Sequence, residues 1–142
     1  MTPNISVTNR QRMVRVNVAA LRAFAERALE LCLNQPSRKS SRLANLEGVE
    51  VAFVSDKRIA EIHRRFMNDP SATDVITFQH GEIVISVETA KRHARQFATA
   101  LDHELRLYIV HGLLHLHGFE DKTAAGAAEM RRVQERLVAS LP

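Results

Sequence analysis

Ile5 and Val7 alternate with Ser6 and Thr8 near the start of the chain, the two-residue period of a half-buried strand. From Asn17 the period lengthens. Val18, Leu21, Ala25, Ala28 and Cys32 recur at helical spacing, and Asn34 with Pro36 closes that helix. The stretch from Gln35 to Asn45 is polar, basic and serine-containing, the composition of an exposed loop. Val49, Val51 and Phe53 then alternate with Glu50, Ala52 and Val54 in a second strand. Ser55 is placed to cap a helix with Ile59, Ile62 and Phe66 as its apolar face, and Asn68-Asp-Pro70 stops it. Two short β-branched runs, 74–78 and 82–86, are joined through Gln79-His80-Gly81, a hairpin signature in which His80 is a turn residue. Ser86 caps a helix with Val87, Ala90, Ala94 and Phe97 inward, and Thr99 with Asp102 opens the next one in the manner of a capping box. Thr123 begins a last helix carrying Met130, Val133 and Leu137. The predicted order is β-α-β-α-β-β-α-α-α. This is an α+β fold, a small mixed sheet of about four strands packed by about five helices, in a single domain over residues 1–142.

Composition narrows the setting. The chain has 142 residues, 45% of them hydrophobic, and no apolar run approaches the roughly 20 residues that cross a bilayer. The first ten residues lack the apolar core of a signal peptide. Cys32 is the only cysteine, which excludes an intramolecular disulfide and suits a small buried residue better than a reactive thiol. The expectation is a cytoplasmic protein with no membrane partner. The net charge of +4 suggests a polyanionic partner. Basic clusters lie at Arg10, Arg12 and Arg15, at Arg38, Lys39 and Arg42, at Arg64 and Arg65, and at Lys91, Arg92 and Arg95. Each cluster alone is adequately explained as a solvated face. With six Phe, one Tyr and no Trp, an aromatic platform for stacking single strands is not evident.

The chemistry concentrates in His111-Gly-Leu-Leu-His115-Leu-His-Gly118-Phe-Glu-Asp121. Two histidines four apart lie roughly 40° from each other around a helix and about 6 Å apart along it, so one metal ion can be gripped by both. Gly118 permits the left-handed turn that ends a helix, after which Asp121 can return towards the pair. Three N/O ligands with an open fourth position is how catalytic zinc is held. His117 points about 200° away from His115 and reads as a bystander at the helix end, where a cationic ring complements the dipole. Gly112 stands where an HExxH peptidase carries its general-base glutamate, which removes most of the weight from a peptidase reading. A glycine inside a helix fits close passage of another backbone or of a substrate. Glu104, seven residues before His111, reads as a surface or capping residue, with a place behind the histidines as the alternative.

With these motifs in hand, the chain resembles the YbeY-type metallo-endoribonucleases of bacterial rRNA maturation. Their hallmark is close to H-G-x-L-H-L-x-G-Y-D-H, after upstream T-D-V-x-S-F and G-x-I-x-I-S segments. Here these read His111 to Asp121, Thr73-Asp-Val-Ile-Thr-Phe78 and Gly81-Glu-Ile-Val-Ile-Ser86, in the same order, and the final helix is similar too. The likeness spans roughly residues 46–138. It implies a single-strand-specific, metal-dependent endoribonuclease acting in rRNA maturation and ribosome quality control. By the resemblance, His111 and His115 match the first two zinc ligands. Asp121 replaces the usual third histidine, with Glu120 as a substitute. One Zn2+ per chain is implied, with Mn2+ or Fe2+ as alternatives. Many relatives carry an arginine where this chain has Met67, so Arg64 or Arg65 is expected to take the RNA contact. The partners implied are ribosomal RNA, the small ribosomal subunit and a ribosomal or GTPase assembly factor. The competing reading is a non-catalytic ribosome-assembly RNA-binding protein with a structural or vestigial metal site.

Overall fold

The computed structural model describes residues 2–36, 41–69 and 73–142. Among the described residues four strands form one sheet: β1 (Asn4–Asn9), β2 (Gly48–Val54), β3 (Val75–Phe78) and β4 (Glu82–Ser86). Five helices among the same residues accompany it: α1 (Val18–Leu33), α2 (Asp56–Met67), α3 (Val87–Gln96), α4 (Leu101–Leu116) and α5 (Ala124–Ser140). The chain thus realises the expected α+β order. In space the strands run β1-β2-β4-β3; β1, β2 and β4 are parallel and only β3 is antiparallel. β3 is therefore an edge strand, tied to β4 by the turn at Gln79-His80-Gly81, where Gly81 adopts φ 109°.

Alternation along the strands divides the core between two faces. Val51, Phe53, Ile83 and Ile85 pack with α1, α4 and α5, whereas Val54, Ile76 and Val84 pack with Ile59 of α2 on the other side. α4 is the central helix. Apolar residues surround it almost entirely, from Leu105 and Ile109 to Val110, Leu113, Leu114 and Leu116, as expected of a helix enclosed on most sides. His111 and His115 interrupt that apolar surface on one side.

Caps place most helix starts where the sequence predicts them. Ser55, Ser86 and Thr123 accept backbone N–H groups from Arg58, Thr89 and Gly126. α2 ends at Asn68, whose left-handed conformation (φ 55°) reverses the chain; Pro70 lies outside the described residues. Asp56 joins α2 to α3: its carboxylate accepts from Ser86 Oγ, Thr89 Oγ1 and Arg92.

Several expectations require correction. α4 begins after Ala100 with no side-chain cap, so the Thr99–Asp102 box does not form. The loop before β2 is not wholly exposed: Leu43 is fully buried in a short 3-10 turn, while Arg38 and Lys39 lie outside the described residues. Phe66 and Phe97, read as core-facing, are 63% and 60% exposed. His117 is buried, donating from Nε2 to the Gln35 carbonyl at 2.8 Å with Ser41 Oγ 3.1 Å from Nδ1. It fastens the loop after α1 to the end of α4. Glu104 is buried rather than on the surface, in the first turn of α4, where the helix dipole favours a carboxylate. The close neighbour of Gly112 is the Ile83 side chain of β4, not a backbone or a substrate.

Candidate metal centre

The last turn of α4 brings His111 and His115 side by side, with their Nε2 atoms 3.1 Å apart. His117 caps the helix and Gly118 follows at φ 98°, a conformation costly for any residue with a Cβ. The reversed chain is anchored by Phe119, which is buried and donates its N–H to the Leu114 carbonyl at 2.9 Å. Asp121 then returns over the histidines. Its Oδ2 lies 3.7 Å from His111 Nε2 and 3.6 Å from His115 Nε2. The sequence-predicted trio is thus assembled, and among the described residues Glu120 is not part of the cluster.

Each imidazole is oriented from behind. His115 Nδ1 donates to the Phe119 carbonyl at 3.0 Å, and His111 Nδ1 donates to Gln134 Oε1 of α5 at 2.9 Å. These bonds put the protons on Nδ1 and leave both Nε2 lone pairs aimed at one point, the orientation that ligating histidines adopt. Two acceptor nitrogens so close repel each other unless a cation or a proton lies between them. Burial, and after it the neighbouring His111, hold His115 below the ordinary imidazole pKa, against the opposing pull of Asp121 and of the Phe119 carbonyl. The neutral ring is the form that binds metal.

The donor set fits a metal ion. Tetrahedral zinc with bonds of about 2.0–2.1 Å spaces its ligand atoms about 3.3 Å apart, close to the three separations here. Sub-ångström adjustment of Asp121, whose side chain is 44% exposed, suffices to equalise them. The fourth side opens into a cleft of about 360 Å³. Its walls include His63 and Met67 of α2, Thr73 and Asp74, Thr77 of the edge strand β3 and Gln79 of the turn that follows it.

Arg64 and Arg65, the expected RNA contacts, lie in the last turn of α2 but, among the described residues, are not in the cleft wall. α2 turns His63 and Met67 towards the histidines and Arg65 and Phe66 to its other flank. His63 and Gln134 were not identified from sequence. His63 lies on a different helix from the motif, although its four-residue spacing from Met67 marked the helix face concerned. Gln134 is 23 residues beyond His111, and no local pattern joins them.

Comparison with known proteins bears on the same residues. The model of the family described as "Endoribonuclease YbeY" matches residues 6–142. The endoribonuclease YbeY of Nautilia profundicola is 39% identical over 101 residues, covering 66% of this chain and 71% of that protein. That of Moorella thermoacetica is 32% identical over 126 residues, covering 75% and 81%. A Thermotoga maritima protein of known solution structure superposes with a TM-score of 0.62 at 25% identity, covering 94% of this chain and 88% of its own. With motif order, fold and relatives in agreement, the chain belongs to the YbeY endoribonuclease family.

Proposed function

We propose that the protein is a metal-dependent endoribonuclease that cuts single-stranded RNA, with ribosomal RNA under maturation as its substrate. The convergence of His111, His115 and Asp121 on one point at the mouth of an open cleft carries this reading. Zn2+ suits two imidazoles and a carboxylate, and the hard oxygen donor also admits Mn2+ or Fe2+. When bound, such an ion supplies Lewis acidity towards a phosphoryl oxygen and lowers the pKa of water. The chain's own residues do the rest. Gln134 and the Phe119 carbonyl hold the two rings in register, so the donor set needs little reorganisation. Thr73, Thr77, Gln79 and His63 line the cleft with polar groups suited to the RNA backbone. The small ribosomal subunit and an assembly factor are the partners in this reading, in a cytoplasmic setting. Among the described residues no helix is long and apolar enough to cross a membrane.

The test is cleavage of a labelled single-stranded RNA by metal-loaded protein. Cleavage should stop with a chelator, return with added Zn2+ or Mn2+, and be absent in His115→Ala while circular dichroism shows the fold intact. RNA bound tightly but never cut under any metal would establish the non-catalytic assembly factor instead.

A further inference from the structure

On the flank of α2 opposite the metal cleft, the sheet carries a second groove, about 620 Å³ in volume. Its floor is Ala52, Val54 and Val84, and its walls are Ile62 and Phe66 of α2, Phe78 of β3 and His80 of the turn. Three of these are aromatic rings in sequence. Phe66 meets Phe78 edge-on at 5.5 Å and 78°, and Phe78 stacks on His80 at 5.6 Å and 23°. Composition concealed this ladder, because its rings come from a helix, a strand and a turn. Phe66 is 63% exposed, which is costly in water and unexplained by packing. Around the rings stand Arg10, Arg58 and Arg65 against, among the described residues, one lining carboxylate, Glu82. Arg65 lies 5.8 Å from the Phe66 ring centre; Arg10 and Arg58 pair with Glu50 and Glu61, and Glu82 lies 3.5 Å from His80.

We propose that this groove is a nucleobase seat, in which a base of single-stranded RNA stacks face to face on Phe66, with the Phe78–His80 pair meeting its edge, while Arg65 and Arg58 meet its phosphates. Stacking rings bordered by guanidinium groups are what sequence-tolerant binding of single strands requires. An apolar peptide would be satisfied by the floor alone and would gain nothing from the arginine rim. The seat is continuous with the cleft through shared elements. Thr77 of the edge strand and Gln79 of the turn face the metal centre, while the intervening Phe78 and the following His80 face the groove. α2 divides in the same way at Met67 and Phe66. A strand crossing this partition would have one nucleotide anchored while another lies over the ligands. The arrangement also gives Arg65 a role that the cleft does not.

This inference rests on the reading that the protein acts on RNA, and the experiment separates the two. The chain has no tryptophan, so Phe66→Trp introduces a single reporter indole at an exposed position. A roughly eight-nucleotide phosphorothioate RNA is titrated into the metal-loaded protein, following indole fluorescence and RNA anisotropy together. The expected result is quenching that saturates with the anisotropy change, and affinity weakened roughly tenfold in Phe66→Ala with its melting temperature retained. If RNA binds Phe66→Ala as tightly as wild type and leaves the indole unquenched, the seat is refuted while the RNA reading stands. If wild type binds no RNA, both are refuted. Quenching by an acidic peptide and not by RNA would also overturn the nucleobase seat, in favour of a protein contact.

Discussion

Alanine at position 112 sets two opposing effects against each other. Removing glycine from a helix interior is worth about 1 kcal/mol of stability. The new Cβ, however, would lie 2.7 Å from Ile83 Cδ1 and Cγ2 and 2.9 Å from Cγ1. Those separations are about 0.8 Å inside ordinary carbon–carbon contact. Ile83 cannot yield easily: it is fully buried, β-branched and paired within β4 between Val51 and Thr77. Overpacking of this kind costs about 1–3 kcal/mol, so Gly112→Ala should be destabilising by up to about 2 kcal/mol in the net. The sign should change when the neighbour is removed. In an Ile83→Ala background, itself about 2–5 kcal/mol less stable, the same change should cost nothing or stabilise by up to about 1 kcal/mol. Urea unfolding of the four proteins, with unchanged m-values, gives the coupling directly. Gly112→Ala more stable than wild type, or a cycle without coupling, would refute the account. Because His111 is adjacent, an α4 pushed from the sheet should also bind zinc more weakly.

Other outcomes follow from the same packing. His115 has a folded-state pKa below its unfolded value through burial and the adjacent His111, so the folded chain takes up fewer protons between the two. Stability of the metal-free protein should be full above about pH 6.5 and decline as pH falls through the folded value, a slope that His115→Gln should reduce in denaturant titrations. Burial raises the Asp56 pKa, but bonds from Arg92, Ser86 and Thr89 outweigh it and the net shift is downward. Asp56→Ala should therefore cost about 1–3 kcal/mol at neutral pH, with the wild-type advantage disappearing as pH falls below the carboxylate range. Cys32 is fully buried and its thiol is pushed up to about 12, so iodoacetamide should label it only in denaturant, as read by mass spectrometry.

The elements and the meeting of His111, His115 and Asp121 were legible because local rules specify them. A four-residue spacing on a helix, a glycine able to adopt positive φ, and Ser or Thr before an apolar period act within one turn of chain. What the sequence obscured depends on which element covers which face. The period of α2 places Ile59, Ile62 and Phe66 on one side, yet only Ile59 is fully covered, because the sheet beneath it ends in a groove. Phe97 is similarly exposed because α3 ends there. No local pattern reveals the role of His117, because its partners, Gln35 and Ser41, come from a loop about 80 residues earlier. The start of α4 at Ala100 was missed because the turn after α3, with Ala98 at φ 55°, overrides the capping preference of Thr99.

The proposed chemistry depends on His111, His115 and Asp121 together holding one metal ion. Elemental analysis of purified wild type and Asp121→Ala tests it most directly. About one zinc, manganese or iron per wild-type chain is expected, with most of it lost in the variant. Metal retained in full by Asp121→Ala would show that another group completes the site. Wild-type protein free of metal even after reconstitution would contradict the claim outright.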